Sequence, residues 1–137
     1  MKRVLRKEVA EVLRILDDPT RAVLARAMDA CAVRNRVIAS NIANADTPGY
    51  RRAYVRFEDS LKQMLAEGGP DDVSDARRLT ATVEEDSTPS SRLDGNNVNL
   101  DAEMADLARN SIEYNALVEL YRLKGQLVST VINGGTR

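Results

Sequence analysis

Residues 99–133 read NLDAEMADLARNSIEYNALVELYRLKGQLVSTVIN. Leu100, Met104, Leu107, Ser111, Tyr114, Val118, Tyr121, Gly125, Val128 and Ile132 recur at spacings of four and three without a slip. That is the seam of a long helix, not the period-2 alternation of a strand. Asn99 is placed to cap the start, and Asp101 and Glu103 suit the positive end of the helix dipole. Gly134-Gly135 supplies the stop. At about 1.5 Å per residue the element is a rod of roughly 50 Å. Leu117, Leu120, Leu127 and Val131 make a second stripe beside the first. One helical neighbour cannot cover both, so the rod is expected to have more than one.

A second seam lies upstream: Leu24, Met28, Cys31, Asn35, Ile38 and Ile42, again four and three apart. Asp18 fits an N-cap and Pro19 the first helical position, where a missing N–H costs little. Asn35 has two readings. A polar residue in a seam fixes register at a cost in stability, whereas a slight turn of the helix puts it in solvent. Cys31 has no partner for a disulfide and reads as a small buried hydrophobe rather than a reactive thiol. Ahead of Asp17-Asp18-Pro19, Leu5, Val9, Val12 and Leu16 form one narrow helical stripe. Arg6, Lys7, Glu8, Glu11 and Arg14 interrupt it, which does not make the h-region of a cleavable signal peptide.

The upstream helix is expected to end near Asn44, a residue that tolerates the left-handed closure. Thr47-Pro48-Gly49-Tyr50 then specifies a type II turn, Pro48 setting φ and Gly49 accepting the positive φ. Asn41, Asn44, Asp46 and Thr47 can hydrogen-bond the backbone groups freed there. Phe57, Leu61, Met64 and Leu65 mark a short amphipathic helix that Gly68-Gly69-Pro70 ends. Residues 66–97 are polar and turn-rich. Leu79, Ala81 and Val83 alternate, which allows one short strand; otherwise the segment is expected to be a flexible loop or insert.

Composition narrows the function. The chain has 137 residues, enough for one domain, and 20 Lys+Arg against 21 Asp+Glu, so general nucleic-acid binding is disfavoured. Arg51, Arg52 and Arg56 with Tyr50 and Tyr54 suit a protein–protein contact better. With no histidine, the commonest general base and metal ligand is missing. Asp94-Gly95-Asn96-Asn97 is a turn. As a calcium loop it fails, because its sixth position is Asn99 instead of Gly and its twelfth is Ala105 instead of Glu. No apolar run is long enough to span a membrane. The expected architecture is all-α. Long N- and C-terminal helices pack as an antiparallel coiled-coil-like pair, joined by a turn, a short helix and a flexible loop with at most one short strand or hairpin. The expected divisions are an N-terminal amphipathic extension at 1–18, a helix at 19–45, the turn, short helix and loop at 46–98, and the long helix at 99–133. Burial along one such pair does not offset the entropy of ordering the helices, so further surfaces from copies or partners are expected to complete it.

Two stretches carry a resemblance. Ser40-Asn41-Ile42-Ala43-Asn44-Ala45-Asp46-Thr47-Pro48-Gly49-Tyr50 resembles the N-terminal signature of bacterial flagellar rod and hook proteins. Asp94-Gly95-Asn96-Asn97-Val98-Asn99-Leu100-Asp101, with Glu103-Met104 and Asn115-Ala116-Leu117, is similar to the proximal rod members of that family. The resemblance implies a structural, non-enzymatic subunit of the flagellar basal body without a cofactor. Its terminal helices would pack side by side in a helical tube, the periplasmic drive shaft from motor to hook. Asn41 to Tyr50 would be the assembly motif and the two seams the interface. Implied partners are other copies, other rod proteins, the rod-base adaptor and MS ring, and the export gate. It implies export through the flagellar type III apparatus without signal cleavage, no nucleic acid, no small-molecule substrate and no place as an integral membrane protein. Residues 1–18 are more charged than that family's first helix. They read equally as a contact to the export gate or ring base or as an unstructured extension. The competing reading is a coiled-coil adaptor or structural component of another secretion system.

Overall fold

The computed structural model describes residues 18–70, 73–90 and 92–134, with side chains as far as residue 130. Along the chain run helix α1 (Pro19–Ala43), strand β1 (Ala53–Arg56), helix α2 (Glu58–Ala66), short helix α3 (Val73–Arg77), strand β2 (Thr82–Glu85) and helix α4 (Leu100–Gly134). The expected N-terminal helix with Leu5, Val9, Val12 and Leu16 lies outside the described residues, as does the side chain of Ile132.

Local chemistry sets the ends of α1. Asp18 is extended (φ −84°, ψ 107°) and its Oδ1 accepts the Thr20 N–H at 2.9 Å, with Pro19 in the first turn. At the far end Asn44 does not take the left-handed form expected of it; its φ is −106°. Its N–H is shared between the Ser40 and Asn41 carbonyls at 3.1 and 3.2 Å. Its side-chain amide donates to the Ser40 carbonyl at 2.8 Å, so the last carbonyls are satisfied without strain. Helix α4 is 35 residues long. The Ala102 N–H reaches Asn99 Oδ1 at 3.1 Å, the cap its sequence predicts.

Helices α1 and α4 lie against each other, and their partners run in reversed order. Asp18 Oδ2 meets Lys124 Nζ at 3.2 Å. The Arg21 guanidinium sits 4.5 Å over the Tyr121 ring. Asn110 donates to the Cys31 carbonyl at 3.0 Å, and Asn41 donates to Glu103 at 2.9 Å. Arg34 ties a third element in, pairing with Glu113 of α4 at 3.0 Å and with Glu58 of α2.

The middle segment departs from the expected flexible loop. It contains α3 and β2, and β2 pairs antiparallel with β1 in the register Ala53↔Glu85, Tyr54↔Glu84, Val55↔Val83, Arg56↔Thr82. The chain is therefore mostly helical with a small two-stranded sheet, whose strands are joined through α2 and α3 instead of a tight hairpin. A small core explains why so polar a segment folds back. Leu79 is buried with Phe57 and Ala30, and Val23, Ala27, Leu61, Met64 and Ala81 pack around them. Gly68 and Gly69, at φ +112° and +84°, end α2 where the Gly-Gly-Pro sequence predicts, the Gly69 N–H reaching the Met64 carbonyl at 3.0 Å.

Candidate functional site

The two motifs at opposite ends of the sequence meet at the C-terminal end of α1. The turn between them is type II in form: the Tyr50 N–H reaches the Thr47 carbonyl at 3.2 Å and Gly49 has φ +72°. The Gly49 N–H donates in turn to the Asp94 carbonyl at 2.8 Å. Gly95, at φ +77°, sits so close that a Cβ there would lie 3.7 Å from the Gly49 Cα.

Asn96 is the centre of this contact and is fully buried. Its amide nitrogen faces the carbonyls of Asn44, Ala45 and Thr47 at 2.9, 3.0 and 2.9 Å, and its Oδ1 accepts the Val98 N–H at 2.7 Å. It caps α1 from 52 residues away in sequence. Arg92 reinforces it with a bond to the Ala45 carbonyl at 3.0 Å while pairing with Asp94 at 2.7 Å. That pairing, first, and the Asn96 amide hold the Asp94 carboxyl below its ordinary value.

A second buried group lies one turn back along α1. Asn41 donates to the Ala53 carbonyl at 2.7 Å and accepts the Ala53 N–H at 3.0 Å, serving as a strand partner for β1. It also donates to Glu103 at 2.9 Å and lies 3.3 Å from the Tyr50 hydroxyl. Glu103 is wholly buried and is bound on its other side by Arg52 Nε. Arg52 also reaches Asp106 at 3.2 Å and Asp86 at 3.9 Å. Burial works against the Arg52 charge, but the Glu103 bond and the three carboxylates outweigh it and push its pKa up. Asn97 closes the set, accepting the Arg52 N–H at 2.6 Å and donating to the Asp86 carbonyl at 3.2 Å. These polar groups are engaged with one another and with backbone. The arrangement fastens β1, the end of α1 and the start of α4 together.

Of the assembly-motif residues, Asn41 and Ala45 are buried, and Ile42, Asn44 and Tyr50 are half-buried. Ala43, Asp46, Thr47, Pro48 and Gly49 face outward. Of the α1 seam, Cys31 and Ile38 are buried, Leu24, Met28 and Ile42 are half-buried, and Asn35 is exposed. The Cys31 thiol is a buried hydrophobe, its pKa pushed up chiefly by burial. Of the α4 seam, Leu107, Val118, Tyr121 and Val128 are half-buried, while Leu100, Met104 and Tyr114 are exposed.

The face that α4 turns to α1 carries instead Glu103, Asn110 and Lys124, which a search for apolar periodicity passes over. Their signal was their spacing. Glu103, Asn110, Leu117 and Lys124 are each seven apart, with polar residues at three of the four places. On the opposite face, Ile112, Leu120, Leu123 and Leu127 are exposed, and a shallow groove runs along Ala116, Glu119, Leu120, Arg122, Leu123 and Gln126.

Residues 22–51, which span most of α1 and the turn, match the family model described as flagella basal body rod protein. The chain is 36% identical over 119 residues to the flagellar basal body rod protein FlgB of Bacillus subtilis (strain 168), covering 82% of this chain and 92% of that one. It is 32% identical over 125 residues to FlgB of Salmonella typhimurium (strain LT2), covering 80% and 89%. To FlgB of Escherichia coli (strain K12) it is 34% identical over 115 residues, covering 74% and 82%.

Proposed function

The chain belongs to the FlgB family of flagellar basal body rod proteins, structural components of the flagellar rod, and from that membership we propose how it builds one. It is a subunit of the proximal rod. It assembles through α1 and α4 into the helical shaft that carries torque from motor to hook, and it performs no catalysis. The reversed order of the α1–α4 contacts supports treating these helices as an antiparallel coiled-coil-like pair, the building unit of the shaft. The sequence divisions 1–18, 19–45, 46–98 and 99–133 then separate an extension, the two shaft helices and an outer region. The outward residues of Asn41 to Tyr50 and the seam residues left uncovered by α1 meet neighbouring subunits.

The observation that carries this reading is the outer face of α4. Leu100, Met104, Ile112, Leu120, Leu123 and Leu127 are each about half exposed or more. A lone soluble chain rarely leaves so many large apolar side chains of one helix in water, whereas lateral packing against copies buries them. The partners are other copies, other rod proteins, the rod-base adaptor with the MS ring, and the export gate. The subunit reaches the periplasmic rod from the cytoplasm without signal cleavage. Deleting the gene tests the assignment. Loss of swimming, with basal bodies that keep their membrane ring but lack a rod, is expected. Normal motility would reject it in favour of a part in another secretion system.

A further inference from the structure

Arg21 stands against the chemistry of its own helix. It lies in the first turn of α1, which carries no acidic residue after the Asp18 cap. The positive end of the helix dipole disfavours a cation there and favours a carboxylate. The Arg21 guanidinium stacks 4.5 Å over the Tyr121 ring, which orients its plane and supplies no anion. Its Nε is buried and has no hydrogen-bond partner among the described residues. The residue as a whole is half-buried, and its two terminal nitrogens open on solvent.

The other half-buried arginines among the described residues are all engaged. Arg34 and Arg52 bind carboxylates, Arg51 binds two carbonyls, and Arg26 pairs with Asp29 at 3.6 Å. The acids along this stretch of α1 and α4 are also taken. Asp18, three residues before Arg21, gives one oxygen to Lys124 and the other to the Thr20 N–H. Glu119 pairs with Arg122 at 3.3 Å. Arg21, Arg26, Arg122 and Lys124 thus stand against Asp18, Asp29 and Glu119, and each acid already has a base. The positive charge left over is that of Arg21. Water compensates it in a free chain. Packing beside other subunits removes that water, and a charge buried without a partner is strongly unfavourable.

We propose that Arg21, held on Tyr121, is a docking point for a carboxylate of a neighbouring subunit in the rod. The inference rests on the rod assignment. The carboxylate accepts side by side from the two terminal nitrogens, the fork that a guanidinium offers. The pair forms only on assembly. It selects partner and register and adds nothing to the stability of the free chain.

Arg21→Glu tests this, because folding and docking predict opposite results. In the monomer a carboxylate in the first turn suits the helix dipole and Lys124. The purified variant should therefore unfold at a urea midpoint no lower than the parent's. Cells carrying it should make the protein at normal level and fail to swim. Arg21→Gln removes the charge without reversing it and should swim poorly at a nearly unchanged midpoint. Arg21→Lys keeps the charge without the fork and should recover part of the motility. Motile revertants of the Arg21→Glu strain should replace an Asp or Glu of a rod protein by Lys or Arg. Such a change in this chain should also work when carried on a separate copy of the gene. Normal swimming by the Arg21→Glu and Arg21→Gln strains would overturn the proposal. A midpoint that falls together with abundance in both variants would overturn it by making Arg21 a residue of the fold. Revertants that act only within the same molecule would overturn it by placing the carboxylate in the same chain. A rod-negative deletion strain alongside a swimming Arg21→Glu strain would reject the docking point and leave the rod assignment standing, whereas a deletion strain that swims rejects the assignment itself.

Discussion

Asn41 shows how much one amide holds together. It binds both backbone groups of Ala53, the Glu103 carboxylate and the Tyr50 hydroxyl from a site with no solvent exposure. Replacing it by Ala leaves the Ala53 N–H unpaired and the buried Glu103 with Arg52 alone, and each buried polar group so orphaned costs about 1–3 kcal/mol. Asn41→Ala should therefore lower unfolding stability by about 2–4 kcal/mol, read as a shift of the urea midpoint. A loss below half a kcal/mol would mean that water replaces the amide. Gly49 is a milder case. At φ +72°, with no atom near its missing Cβ, Gly49→Val meets strain and no collision, and about 1–2 kcal/mol is expected. The sequence marks both residues but explains only one. Gly49 acts through its own dihedral angle, which Pro-Gly announces. Asn41 acts on partners 12 and 62 residues away, and nothing local names them.

At the scale of elements, caps were legible and faces were not. Asp18 caps α1 as read, and it also pairs with Lys124 of α4, a contact no local pattern could reveal. Asp18→Ala removes a cap and a partly screened ion pair, together about 1–2 kcal/mol. Burial tends to raise the Asp18 pKa, but the Lys124 bond and the Thr20 bonds outweigh it and hold the carboxyl below its ordinary value. A carboxyl depressed by folding contributes stability above its unfolded pKa, and that contribution is lost as pH falls through its folded value. Asp59, held down by Arg56, and Asp86, held down by Thr88, act in the same direction. The urea midpoint should be steady near neutrality and fall below about pH 4, and Asp18→Asn should fall less steeply than the parent chain. Helix α4 was legible as a helix because period and caps agree over its whole length. Which side of it meets α1 was not legible: Leu100 and Met104 of the seam are exposed, while Glu103 and Asn110 take the inward positions through hydrogen bonds. The strands were harder still. Four residues each, they are held where Leu79 and Phe57 bury together with α1, a non-local gain; only β2 had a local signal, the alternation that ends at Val83.

For the molecule as a whole, folding and the proposed assembly draw on different residues of one helix, and substitutions can separate them. Val118 looks like an assembly residue in sequence, but it is half-buried beside the α1-facing side of α4, so a charge there tests the monomer as much as the shaft. Leu100 and Met104 are 48 and 53% exposed and lie near the motif junction. Among the described residues, neither belongs to the buried core. Met104→Asp should keep the helical circular dichroism and change stability by no more than about 0.5 kcal/mol, as surface substitutions do. In the shaft the same carboxylate would be pressed against a neighbour's apolar surface without a partner, at a cost of several kcal/mol at each repeat. Cells carrying Met104→Asp should make the protein at normal level and fail to swim, whereas Val118→Asp should lower both abundance and motility. Swimming by the Met104→Asp strain at the parental rate would place this end of α4 in solvent within the rod, and the lateral contacts would then belong to the Ile112–Leu127 side alone.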